Sequence, residues 1–241
     1  MAKHNHADHL TQGNVILERL ATTTVPGSLK GVVAAFKTTH ASLVSANTVA
    51  ESARADRDAA LLAVNTADSA LDAAVDVLAD KMVGAQMSSR KNAFAGFSKH
   101  APSAVTKLAY ADEVKEVLAL TAKVKKRKPA ADVAKAAAAC EKLAGAVTSA
   151  LSKLSKPQLA YAKSLATRDA LLPGWAKSLN QLKKNAAAVW FEDPATYKAV
   201  FAAPERVQAP VHARAKKKAA ASAGAGTAVV AAAATAKVTP S

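Results

Sequence analysis

The chain has 241 residues, 63 of them alanine and only 4% aromatic. With nine Gly and nine Pro, this composition favours helix, for which Ala has the best intrinsic propensity, and excludes a β-sandwich or barrel, which needs regular runs of β-branched and aromatic residues. The formal net charge is +15, and a single cysteine excludes an intramolecular disulfide or a multi-cysteine zinc site.

Residues 1–26 are expected to form a flexible segment. Met1 to Leu20 is polar and rich in histidine where a secretory leader needs an apolar stretch, and Gly13–Leu20 carries only a faint helical pattern. His4, His6 and His9 have the chemistry of metal ligands. With Met1 removed, Ala2-Lys3-His4 would set an imidazole third from a free amine, as suits square-planar Cu(II) or Ni(II). An untethered terminus is the preferred reading, and no cofactor is expected. Val25-Pro26-Gly27-Ser28 is a turn, with Ser28 of the N-cap type.

From Leu29 two columns interleave at seven-residue spacing. One runs through Leu29, Phe36, Leu43, Ala50, Arg57, Val64, Leu71 and Leu78; the other through Val33, His40, Asn47, Arg54, Leu61, Asp68, Val75 and Met82. This is the pattern of a coiled-coil or bundle seam. A continuous helix over 29–83 would be ~80 Å long. The seam is apolar at its ends and polar at Asn47, Arg54 and Arg57, which reads either as a wet stretch or as a break between two helices near 47–57. His40 is expected to make a polar core contact, with Asp68 or a glutamate of another helix as partner.

Gly84 to Pro102 reads as a loop in which Phe94 and Phe97 fold back onto the end of a bundle. Ser103 opens a helix carrying Val105, Leu108, Val114, Val117, Leu118, Thr121 and Val124, which ends in Lys123-Val124-Lys125-Lys126-Arg127-Lys128-Pro129. Asp132 opens the next, with Val133, Ala136, Cys140, Leu143, Val147, Ala150 and Leu154 in one stripe. Lys156-Pro157 is expected to end it, a fourth helix to follow over Leu159–Leu172, and Pro173-Gly174 to break or kink that one. Trp175, Leu179, Leu182, Val189, Trp190, Tyr197 and Phe201 form the bulky knot that closes the bundle, with Asp193-Pro194 capping the last short helix. The fold class is therefore all-α: an elongated antiparallel bundle or coiled coil of four or five helices over 27–203, followed by a disordered Ala/Lys-rich tail at 204–241.

The positive charge is segregated. Residues 1–90 hold 8 Lys/Arg against 9 Asp/Glu, residues 91–156 hold 13 against 5, and residues 206–241 hold 6 against none. The candidate polyanion-binding residues are Lys123, Lys125, Lys126, Arg127 and Lys128 at the helix end, and Arg214, Lys216, Lys217 and Lys218 in the tail. Such clusters neutralise phosphates and release counterions. The tail's Ala-Lys-Lys-Lys-Ala-Ala-Ala resembles in composition, over about 25 residues, the lysine/alanine tails of linker-histone-like bacterial proteins and of some phasins, the helical proteins that coat polyester granules. It departs from them in having one lysine triplet and then only Lys237, without repeated Lys-Ala-Pro units.

Paired carboxylates for acid/base work, a Glu-x-x-His pair, a phosphate-cradling Gly-rich loop and Gly-x-Ser-x-Gly are all missing from the sequence. Cys140 lies in an apolar stripe and reads as core. The expectation is a non-catalytic binding or scaffolding protein, cytoplasmic and without a transmembrane segment, that contacts nucleic acid or another polyanion; its neutral first third, with the long seam, could pair with itself in a dimer, and the oligomeric state is left open. The alternative is a phasin-like structural protein that lays its amphipathic stripes on a lipid or polymer surface.

Overall fold

The structure, a computed structural model, describes residues 6–203. They form six helices: α1 (His6–Thr22), α2 (Gly27–Gly84), α3 (Pro102–Val105), α4 (Tyr110–Lys126), α5 (Ala131–Val189) and α6 (Pro194–Phe201). No strand occurs among the described residues, and the fold is all-α. No described helix is long and apolar enough to cross a membrane.

The chain divides into two compact units. The described part of the first spans residues 6–56 and 158–203, and that of the second spans 57–157. Each has its own apolar core. In the first unit, Ile16 and Leu20 of α1, Leu29, Phe36 and Leu43 of α2, and Trp175, Leu179, Leu182 and Ala186 of α5 pack with Trp190 and Val200. In the second, Val64, Leu71, Val75, Leu78 and Met82 of α2 meet Val114, Val117, Leu120 and Val124 of α4 and Val133, Ala137, Cys140, Val147 and Leu154 of α5. Phe94 and Phe97 of the connecting loop are buried in this second core.

Two expectations are corrected, and one open alternative is decided. Residues 6–22, read as part of a flexible N-terminal segment, form α1, because Ile16 and Leu20 bury one turn apart against the first core. The 29–83 seam has no break near 47–57: α2 is one helix of 58 residues. Its polar middle instead interrupts the buried column between Ala50 and Val64. Likewise α5 is one helix of 59 residues that passes through both Pro157 and Pro173. An interior proline forfeits a backbone hydrogen bond and costs ~3 kcal/mol. Burying one large apolar side chain stabilises by roughly 1.5–3 kcal/mol, and α5 buries Val147 and Leu154 before Pro157 and Trp175, Leu179 and Leu182 after Pro173. Packing and alanine-rich flanks therefore outweigh the two prolines.

The cap read at Asp193 holds. The Asp193 carboxylate accepts a hydrogen bond from Thr196 N at 3.1 Å and caps α6; hydrogen bonds from Thr196 hold it below the usual carboxylate range. The helix expected to start at Ser103 is divided: α3 is a single turn with Pro102 at its start, and α4 begins only at Tyr110. The expected disordered tail lies outside the described residues.

Candidate functional site

The cationic segment lies in the second unit, at the carboxyl end of α4. The helix turns Tyr110, Val114, Val117, Leu120, Thr121 and Val124 inward, so the intervening Lys123, Lys125 and Lys126 face outward. Positive charge here is favourable against the helix dipole. The last turn closes with Arg127 N donating to Val124 O at 3.0 Å and Lys128 N to Lys125 O at 3.1 Å. Lys128 takes the left-handed conformation, with φ 49°, and Pro129 ends the segment.

The five cations are not equivalent. Lys123 Nζ donates to Phe97 O at 2.8 Å, pinning the loop that follows α2. Lys125 pairs with Glu141 of α5, Nζ to Oε2 at 2.5 Å. The Arg127 guanidinium lies 5.8 Å from the centroid of the Phe97 ring. Lys126 and Lys128 are exposed, and neither has an acidic partner among the described residues. Two of the five are thus committed to the chain itself, while Lys126, Arg127 and Lys128 keep their charge available.

Arg127 and Lys128 edge a groove of about 450 Å³, lined also by Ala85, Gln86, Met87, Phe97, Pro129 and Ala130. Gln86 ends α2 as Lys128 ends α4, in the left-handed region, with φ 57°. These are the non-glycine residues with positive φ among those described, and both line this groove. Backbone in this region costs roughly 1–2 kcal/mol for an L-residue. Phe97 has its ring buried under Arg127, so it supports the guanidinium and offers no face for base stacking.

Sequence reasoning found the cations but not the groove, because Gln86, Met87 and Phe97 are distant in the chain and carry no charge signal. Arg90 and Lys91 line a different cleft of about 1060 Å³ together with Asp76 and Asp80. Acids there balance their charge, and that cleft lacks the cationic bias of the groove. Of the tail residues, Arg214, Lys216, Lys217 and Lys218 lie outside the described residues.

The other candidates fall into structural roles. Cys140 is buried, and burial pushes its thiol up to about 11, so it holds no thiolate at neutral pH. His9 packs on Trp175 with ring centroids 4.8 Å apart. His4 and the His6 side chain lie outside the described residues. Among the described residues no group of three or more His, Cys, Asp or Glu is arranged to hold a metal ion. Compared with models of known families, with curated proteins and with solved structures, the chain matches none.

Proposed function

We propose that this chain is a non-catalytic helical binding protein of the cytoplasm that contacts a polyanion, nucleic acid in the first instance, through the α4 end and the 206–241 segment. The observation that carries the reading is the exposed trio Lys126, Arg127 and Lys128, without acidic partners among the described residues, of which Arg127 and Lys128 edge a groove that two left-handed helix ends line. Strained backbone is retained where the surroundings over-determine it, which is commonly at binding sites. The reading includes an antiparallel pairing of α2 and α5, supported in the second unit by the ion pair of Lys81 near the end of α2 with Asp132 near the start of α5, at 3.7 Å. Surface coating is less well supported, because the stripes that would lie on a lipid or polymer are occupied by the two cores.

Filter binding of the full chain to duplex DNA across a salt series tests the reading. The affinity is expected to fall linearly on a log–log plot with salt, and K126A/R127A/K128A to flatten the slope by about 0.9 for each phosphate no longer neutralised. Absent or salt-insensitive binding overturns it, and so does co-sedimentation with polyester particles at a salt that abolishes DNA binding.

A further inference from the structure

In the first unit, one histidine holds three helices together. His40 of α2 is only 3% exposed. Trp175 Nε1 of α5 lies 3.1 Å from its Nδ1, and Asn14 Oδ1 of α1 lies 2.8 Å from its Nε2. An indole N–H can only donate, so Nδ1 must present its lone pair; Nε2 then carries the proton and donates to Asn14 Oδ1. The neutral ring with its proton on Nε2 is the one form that satisfies both partners. The imidazolium carries a proton on each nitrogen and would aim Nδ1–H at the Trp175 N–H.

The packing leaves no room for the ring to turn aside. Gly13 of α1 approaches so closely that a Cβ there would lie 2.2 Å from His40 Cε1 and 2.3 Å from Nδ1. On the same helix Phe36 stacks on the imidazole, with centroids 5.9 Å apart and planes 20° apart. Among the described residues, no nearby charge stands ready to receive a protonated ring. From α1 it meets Gly13 and the neutral Asn14, and His9 lies against Trp175. From α5 it meets Trp175, while the buried Arg168 is paired with Asp169 at 2.7 Å. On α2, Lys37 is exposed. Burial alone moves His40, and moves it down.

α1 also grips the end of the described chain. Arg19 Nη1 donates to Ala202 O at 2.6 Å and to Val200 O at 3.3 Å, satisfying carbonyls left open where α6 stops. The described residues end at Ala203, directly before the segment that carries the basic tail.

We propose that His40 is an acid-operated latch: protonation of its Nδ1 breaks the bond from Trp175 and undocks α1, which in turn frees the α6 end held by Arg19. A histidine whose folded-state pKa is lowered keeps its full contribution above the unfolded value of about 6.5. That contribution is lost as pH falls from 6.5 toward the lowered folded value, so release lies on the acid side of 6.5.

Hydrogen exchange of the full chain at pH 7.5 and pH 5, corrected for intrinsic rates, tests the latch. Protection of the α1 amides is expected to fall at least tenfold at pH 5, while that of α4 and the second-unit part of α5 stays. His40→Gln keeps one acceptor and one donor but does not titrate, and is expected to abolish the pH step; His9→Gln is expected to retain it. Nitrogen NMR of the imidazole at pH 7.5 should show the Nε2–H tautomer, a readout that does not depend on any variant folding. Four results would each overturn the latch: α1 protection equal at the two pH values, loss of protection throughout the chain at pH 5, a step that persists in His40→Gln or vanishes in His9→Gln, or an Nδ1–H ring.

Discussion

His40 in the first unit and Glu113 in the second are both buried titratable side chains, and they reach burial by opposite routes. His40 has a donor on one nitrogen and an acceptor on the other, supplied by two further helices. Glu113 of α4 is 0% exposed, and neither of its oxygens accepts a hydrogen bond from a described donor. What it meets are the carboxyls of Asp72 and Asp68 on α2. Burial first, then hydrogen bonding to Asp72, pushes its pKa up to about 9, so at neutral pH it keeps its proton. The same surroundings raise Tyr110, through burial and the fields of Asp68, Glu113 and Asp72; Tyr110 Oη donates to Asn65 Oδ1 at 2.6 Å. From α5 the second core contributes Ala137, Cys140 and Ala144 and no charge. One core satisfies its polar group by geometry, the other by protonation. Both arrangements therefore depend on pH, in opposite senses, and the one satisfied by geometry in addition tolerates no change of shape.

The sharpest test of the first half is Gly13→Ala. A helical Gly→Ala change ordinarily stabilises, but here the new methyl would overlap a ring fixed on both sides. Overpacking of this kind costs about 1–3 kcal/mol, which should appear as a lowered midpoint in urea unfolding and reduced α1 protection. A variant as stable as the parent would mean that the ring has slack.

Glu113→Gln probes the second half. The amide can donate to Asp72 without needing a proton from solvent. A carboxyl whose pKa is raised in the folded state contributes stability that is full below its unfolded value, near 4.3, and is lost as pH rises toward about 9. The parent's second unit should therefore weaken from mild acid to alkaline pH, opposite in sign to the first unit. Glu113→Gln should flatten that trend and at pH 8 stabilise by about 1–3 kcal/mol, the cost of a poorly satisfied buried polar group. Thermal melts of both proteins at pH 5, 7 and 8.5 read this directly; parallel pH profiles would break the contrast.

The smallest effect expected is at Gly145 of α5, in the second unit. Nothing lies within 4 Å of a Cβ placed there, so Gly145→Ala should stabilise by about 0.5–1 kcal/mol through helix propensity alone. Opposite signs for one substitution at Gly13 and Gly145 would isolate close approach as the cause.

Much of both cores was legible in advance. Leu29, Phe36 and Leu43, then Leu71 and Leu78, fall on one seven-residue column because a buried helix face repeats with that period. Trp175, Leu179 and Leu182 follow the same logic. Cys140 was legible as core from its place in a stripe, and the cationic segment from its composition. The continuity of α5 was not, because Pro157 and Pro173 are strong local stop signals and the packing that overrides them is contributed by residues far along the chain. The partner of His40 was missed for a related reason. Asp68 lies on the same helix in the same seven-residue column, too far along it to reach His40, whereas the actual partners Asn14 and Trp175 are separated from His40 by 26 and 135 positions.

By itself, the sequence determined that this chain is helical, where its apolar faces repeat and where its positive charge accumulates, since propensity, periodicity and charge are local properties. Tertiary structure alone decided that two prolines sit inside one helix, that only Lys126, Arg127 and Lys128 of five neighbouring cations keep their charge available, and that a histidine and a glutamate lose access to water. Those outcomes depend on which side chains from distant segments occupy the same volume, and the competition between burial and hydrogen bonding is settled only there.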